Sequence, residues 1–135
     1  MGFVLDASVT ASWFLPDESD QDAWEAWQRS ETEDVWVPLH WWFEIRNMML
    51  VVERRNRISQ TLTVRALDRL SVLPITVEPR PDEGAVFDLA RRYRLTFYDA
   101  AYLELAQRRK APLATLDNAL IAAARTERVS LVKAL

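Results

Sequence analysis

The sequence predicts an α/β domain with a parallel β-sheet, because short apolar runs alternate with segments of helical periodicity. Each run has three or four residues, which suits a buried strand of a parallel sheet. The segments between the runs repeat their apolar residues every three or four positions, as amphipathic helices do. A length of 135 residues, without internal repeats or low-complexity tracts, fits one domain spanning residues 1–135.

The strands and helices are assigned in chain order. The predicted strands occupy residues 3–5, 35–37, 75–77, 113–116 and 130–132. The predicted helices occupy residues 17–29, 41–54, 59–70, 83–93, 99–109 and 118–125. In an open sheet of this kind, ligands bind beyond the carboxyl ends of the strands. Polar residues that directly follow strands are therefore the first functional candidates.

Composition limits the classes of protein that the chain can belong to. The absence of cysteine excludes disulfides, thiolate metal sites and cysteine nucleophiles. No apolar run is long enough for a membrane span and no signal peptide is visible, so we expect a cytoplasmic protein without membrane contact. The net charge of −3 argues against nucleic-acid binding unless basic residues cluster or a cation neutralises the acids.

Several basic residues near predicted helix ends are candidates for phosphate contacts, with solvated helix faces as the alternative. They are Arg46, Arg54, Arg55, Arg57, Arg91, Arg92, Arg94, Arg108, Arg109 and Lys110.

Four carboxylates occupy positions that suit a site. Asp6 and Asp117 follow the first and fourth predicted strands, where an aspartate can also simply cap the next helix. Asp99 heads the buried stripe of its helix, and Glu44 flanks an apolar helix face on the same side as Asn47. Clustered carboxylates repel one another, and a divalent cation removes that conflict. Oxygen ligands without cysteine favour Mg²⁺ or Mn²⁺ over zinc.

Four segments form a recognisable series along the chain. They are residues 4–9 (VLDASV), the segment from Pro38 through Glu44 and Asn47, residues 95–103 (LTFYDAAYL) and residues 112–117 (PLATLD). In this order and spacing they resemble the opening, the proline-led helix, and the third and fourth motifs of PIN-domain nucleases, and the closest subgroup is the VapC-like toxins. The resemblance covers essentially the whole chain.

The resemblance implies a Rossmann-like α/β/α sandwich with a central parallel sheet. It implies that Asp6, Glu44, Asp99 and Asp117 are the catalytic, metal-binding acids, supported by three further residues. These are Ser8, Asn47 and Thr115. It further implies Mg²⁺- or Mn²⁺-dependent cleavage of RNA that leaves a 5′-phosphate, a homodimer, and inhibition by a cognate antitoxin.

The run His40-Trp41-Trp42-Phe43 invites a role in base stacking, but core, dimer or antitoxin contacts are expected instead. The same holds for Trp13, Phe14 and Trp24. For His40, the only histidine, we expect a capping or surface role rather than that of a catalytic base.

Three alternatives remain open from the sequence. A receiver-type phosphoacceptor domain needs paired acids after the first strand and a late lysine, for which Lys133 is the nearest candidate. A non-catalytic interaction module keeps the nuclease fold with structural or vestigial acids. A housekeeping RNA-processing nuclease shares the chemistry without the antitoxin.

Overall fold

A computed structural model describes residues 1–16 and 18–135 of the chain. Its four strands are β1 (Gly2–Leu5), β2 (Asp34–Pro38), β3 (Ile75–Glu78) and β4 (Leu113–Ala114). They form one sheet in the order β3-β2-β1-β4, and every neighbouring pair is parallel. The predicted α/β class with a central parallel sheet is confirmed.

Helices flank the sheet. They are α1 (Ala7–Ser12), α2 (Gln21–Ser30), α3 (Leu39–Arg54), α4 (Gln60–Ser71), α5 (Glu83–Tyr93), α6 (Phe97–Arg109) and α7 (Asn118–Thr126). Within the described ranges, none of these helices combines the length and apolarity needed to cross a membrane.

Helix α6 is the central helix of the core and contacts β1, β2, β4, α5 and α7. Seven consecutive residues from Ala100 to Ala106 are buried, which fits a helix that is covered on several sides rather than on one face. The central strand of the sheet beneath it is also buried, since Phe3, Val4 and Leu5 of β1 have no solvent-exposed surface. This packing fixes the start of α6 against the carboxyl edge of β1.

Helix α1 was not predicted. It has only six residues, too few for a periodic pattern, yet five of the six are buried and Thr10 Oγ1 donates to the carbonyl of Asp6 at 3.2 Å. Three predicted helix starts were also wrong, and one of them is that of α3, which begins at Leu39 rather than at Trp41. Helix α2 begins at Gln21, capped by Asp20, and the earlier predicted start at Asp17 lies outside the described residues.

Helix α6 begins two residues before Asp99, because the Thr96 hydroxyl accepts the Asp99 N–H at 3.0 Å and so caps the helix. The fourth predicted strand is shorter than expected and ends at Ala114. The predicted strand at 130–132 is reduced to a single bridge between Leu131 and Leu113. These differences lie at the ends of helices and strands and near the C-terminus, where the spacing of apolar residues does not define the boundaries.

Candidate active site

The carboxyl ends of β1 and β4 bring two distant segments side by side. The N–H of Asp6 donates to the carbonyl of Ala114 at 2.9 Å, which extends the ladder by one residue. As a result, Asp6 lies beside Thr115 and close to Asp117, more than one hundred residues later in the chain. This edge of the sheet is where the parallel topology predicts a ligand site.

Asp6 is a buried carboxylate with only 5% of its surface exposed. Its Oδ2 atom accepts hydrogen bonds from Ser8 Oγ and Thr115 Oγ1, both at 2.7 Å. Burial raises the pKa of Asp6 to about 6; the two hydroxyl donors lower it, whereas the charges of Glu44 and Asp99 raise it further. Asp6 is at the N-cap position of α1, but its side chain makes no capping hydrogen bond.

The hydroxyls of Ser8 and Thr115 are themselves held by the backbone. Ser8 Oγ accepts the N–H of Leu116 at 3.0 Å, and Thr115 Oγ1 accepts the N–H of Asp117 at 3.1 Å. With one lone pair of each oxygen engaged, each hydroxyl hydrogen is directed to Asp6 Oδ2. The structure therefore gives the predicted supporting residues Ser8 and Thr115 a definite contact.

Asp117 has the capping role that the sequence left open. Its Oδ1 accepts the N–H of Leu120 at 2.8 Å at the start of α7. Asp99 is half-buried in the first turn of α6. Burial, and after it the charge of Asp117, raises the pKa of Asp99, so the two carboxylates lie within electrostatic range of each other.

Glu44 reaches the site from α3. Its Oε1 accepts the hydroxyl of Tyr102 at 2.7 Å. Burial raises the pKa of Glu44, the Tyr102 hydrogen bond lowers it, and the charge of Asp99 raises it. Asn47 is exposed and, among the described residues, makes no hydrogen bond to Glu44, so the structure does not bring this predicted supporting residue to the acid.

Two residues of the site were missed by sequence reasoning. Tyr102 is completely buried, and burial followed by the charges of Asp6 and Glu44 raises its pKa. His40 packs edge-on against the Tyr102 ring with centroids 5.1 Å apart, and its Nε2 lies 3.3 Å from Glu44 Oε1. The expected surface or capping role of His40 is therefore wrong.

A helical spacing could have revealed both residues. Tyr102 is one turn after Asp99, and His40 is one turn before Glu44, so each shares a helix face with an acid. Burial lowers the pKa of His40 by more than the backbone of Tyr98 and the charge of Asp99 raise it.

The four acids receive no cationic counter-charge from the described residues. Beyond the effect of burial, Glu44 and Asp99 disfavour ionisation of Asp6, and Asp117 disfavours ionisation of Asp99. Over residues 1–16 and 18–135, no lysine or arginine forms an ion pair with any of them. In the same ranges, no three histidine, aspartate or glutamate side chains stand close enough to ligate one ion directly.

The donor chemistry nevertheless fits a hydrated hard cation. All four side chains offer oxygen atoms, and Mg²⁺ characteristically keeps several waters between itself and protein carboxylates. Such a cation would relieve the mutual repulsion without requiring direct contact with every acid.

Four of the ten basic residues considered for phosphate contacts are engaged elsewhere. Arg92 pairs with Glu127, Arg108 with Glu104, and Arg109 with Glu78. The Arg46 guanidinium lies 3.7 Å from the ring centroid of Trp42 and donates to its carbonyl. These contacts favour the structural interpretation of the basic residues.

Lys133 Nζ lies 3.0 Å from Asp22, which pairs it away from the four acids. The receiver-type alternative requires that lysine in the site, so the observed pairing argues against it.

The tryptophans divide between core and surface. Trp41 is buried, and its Nε1 donates to Thr10 Oγ1 at 3.0 Å. Trp42 and Phe43 are exposed on α3. Trp13 packs edge-on against Trp27, and the two rings line an apolar cavity of about 400 Å³ beside α4.

Solved structures with the same fold include three of known source. PAE2754 from Pyrobaculum aerophilum is 21% identical, with a TM-score of 0.71 over 91% of this chain and 84% of that one. FitAcB from Neisseria gonorrhoeae is 18% identical, with a TM-score of 0.65 over 98% and 97%. A toxin-antitoxin complex from Klebsiella pneumoniae is 18% identical, with a TM-score of 0.57 over 85% and 86%.

At these identities the structures show a shared fold and no more. No curated protein is significantly similar to the chain. The family model that matches is described as "PIN domain", and the match runs over residues 3–126, which include all four acids.

Proposed function

Because the chain belongs to the PIN-domain family, whose members are in general metal-dependent nucleases, we propose that it is an endoribonuclease that needs Mg²⁺ or Mn²⁺. The observation that carries the proposal is the group of carboxylates at the edge of the sheet. Three of them have raised pKa values, chiefly through burial, and none has a cationic partner among the described residues.

We assign the catalytic and metal-binding roles to Asp6, Glu44, Asp99 and Asp117. Asp6, Asp99 and Asp117 would hold the ion at least partly through water, and Glu44 would position or ligate it from α3. When bound, a divalent ion supplies Lewis acidity toward water and toward the phosphate oxygens of RNA. The chain itself supplies placement, since Ser8 and Thr115 hold Oδ2 of Asp6, while Oδ1 has no hydrogen-bond partner among the described residues.

We further propose that the nuclease is the toxin of a toxin–antitoxin pair. The similar Klebsiella pneumoniae structure is a toxin-antitoxin complex, which supports an antitoxin as partner. Exposed aromatic side chains such as Trp24 and Phe43 are typical of surfaces that protein partners cover. A homodimer and a cytoplasmic location stay predictions. A short reading frame for an antitoxin next to this gene would support the toxin over a housekeeping enzyme.

The test compares the wild type with Asp99→Asn during expression in cells, with transcript 5′ ends mapped in both. Asparagine keeps the size and the helix position of Asp99 but removes its charge. We expect new 5′-phosphate ends only with the wild type, while circular dichroism of both purified proteins shows the same fold. Equal cleavage by the variant would remove Asp99 from the mechanism, and no cleavage by the wild type would favour a non-catalytic module.

A further inference from the structure

We propose that Tyr102 is a positioning residue for Glu44: its hydroxyl holds Oε1 and thereby turns Oε2 toward the divalent ion. This inference rests on the proposed function, because it assigns the ion to the four-carboxylate site. Tyr102 lies on α6 and Glu44 on α3, 58 residues apart in the chain, so the contact links the two helices that bring acids to the site.

The Tyr102 hydroxyl has little freedom to point elsewhere. The phenol of Tyr102 is completely buried. Burial raises the pKa of Tyr102, and the nearby backbone N–H of Ala7 lowers it by a smaller amount. Its hydrogen is directed to Glu44 Oε1, to which the hydroxyl donates at 2.7 Å. His40 packs across the ring at a centroid distance of 5.1 Å and restricts its rotation.

The two oxygens of Glu44 therefore differ. Oε1 has Tyr102 as donor and His40 Nε2 at 3.3 Å, although the histidine contact lacks hydrogen-bond geometry. In the described part of the chain, Oε2 has no hydrogen-bond partner. The same asymmetry exists in Asp6, where both hydroxyl donors meet at Oδ2. A donor that binds one oxygen of a carboxylate also fixes the direction of the other oxygen. Residues that surround a metal site orient the metal-binding side chains in this way.

The test uses Tyr102→Phe, which removes only the hydroxyl, and Tyr93→Phe as the matched control. Tyr93 also donates to a glutamate, Glu127, which lies at the opposite end of α7 from Asp117. Isothermal titration calorimetry with Mn²⁺ alone measures affinity. We expect the dissociation constant to rise about tenfold in Tyr102→Phe and to change less than about twofold in Tyr93→Phe.

A second measurement asks whether the effect passes through Glu44, and it needs no metal. Urea unfolding compares the loss of stability from Tyr102→Phe in the wild type and in a Glu44→Ala background. If the hydroxyl acts on Glu44, its removal costs less once the carboxylate is gone. In addition, raising the Mn²⁺ concentration restores the RNA cleavage rate of Tyr102→Phe, which a general loss of structure would not allow.

The outcomes separate the two claims. An unchanged Mn²⁺ affinity in Tyr102→Phe, with normal binding by the wild type, overturns the positioning role and leaves the proposed function intact. An equal unfolding cost in both backgrounds also overturns it, since the hydroxyl then acts elsewhere. A wild type that neither binds Mn²⁺ nor cleaves RNA overturns the proposed function together with the inference.

Discussion

The two ends of helix α7 hold acids in opposite electrostatic surroundings. At its start, Asp117 lies among carboxylates, and its charge adds to burial in raising the pKa of Asp99. At its end, Glu127 accepts hydrogen bonds from Tyr93, Gln107 and Arg92. The Tyr93 hydroxyl, followed by the other donors, holds the pKa of Glu127 below its usual range.

The comparison shows that, among the described residues, an arginine pairs with the acid at the end of α7 but none pairs with the acids near its start. Three donors, one of them cationic, satisfy Glu127 internally. The four acids near the start of α7 receive hydroxyl and backbone donors but no cation from the described residues. An ordered cluster of carboxylates without a cation lowers the stability of the fold, and such a loss of stability is typical of functional sites.

The largest expected effect is on activity. Replacing Asp6 with asparagine keeps the acceptor for Ser8 and Thr115 but removes the buried charge. We expect kcat/KM for RNA to fall about a thousandfold or more, the scale on which preorganised electrostatic groups contribute. Steady-state cleavage of a labelled RNA measures this. A variant with more than a tenth of wild-type activity would contradict the assignment of Asp6.

The second effect is the pH dependence of stability without metal. The folded pKa of Asp6 is about 6 and its ordinary value is 3.8, so the folded state binds the proton more tightly. Below pH 3.8 Asp6 is mostly protonated in both the folded and the unfolded chain, so its ionisation does not lower the stability of the fold. As the pH rises from 3.8 to about 6, ionisation of Asp6 favours the unfolded chain and the stability falls progressively. We expect wild-type stability relative to Asp6→Asn to fall by up to about 3 kcal/mol between pH 4 and 7.

Urea unfolding at each pH measures the difference between the two proteins. The comparison cancels the contributions of groups whose pH dependence has the opposite sign. Glu127 is one of them: because its pKa is lowered, it stabilises the fold at higher pH, and this stabilisation is lost as the pH falls. A constant difference between wild type and Asp6→Asn across this range would mean that Asp6 does not titrate differently in the fold.

The third effect is stabilisation by metal. An ion at one hundred times its dissociation constant stabilises the native state by about 2.7 kcal/mol. For a domain of this size we expect a rise in Tm on the order of 10 °C with Mn²⁺ at pH 7. Differential scanning calorimetry measures it, with Asp6→Asn as the variant that should lose most of the rise. An equal rise in both proteins would point to an ion bound elsewhere.

The smallest effect is expected at the other end of α7. Glu127→Gln keeps some hydrogen bonding but loses the pairing with Arg92. We expect only a small fall in Tm, because Arg92 is exposed and its pairing is screened by solvent, with Mn²⁺ binding and RNA cleavage unchanged. Thermal unfolding and the cleavage assay check both parts. Loss of cleavage in Glu127→Gln would end the contrast between the two ends of the helix.

Much of the site was predictable because strand ends are local features. Asp6 and Asp117 directly follow apolar runs, and parallel topology brings such ends to one edge. Their different uses were not predictable. Both occupy N-cap positions, yet only Asp117 caps with its side chain, since Asp6 Oδ2 is engaged by Ser8 and Thr115.

The sequence by itself determined the alternation of strands and helices and the position of each acid relative to its own element, because periodicity and caps depend on neighbours a few residues away. Only the tertiary structure decided that Tyr102 meets Glu44 and that Thr115 meets Asp6, contacts that join residues 58 and 109 positions apart. It also decided which acids receive an arginine. Both outcomes depend on how α3, α6 and α7 pack against the sheet, and that packing brings together side chains whose separation in the chain carries no local signal.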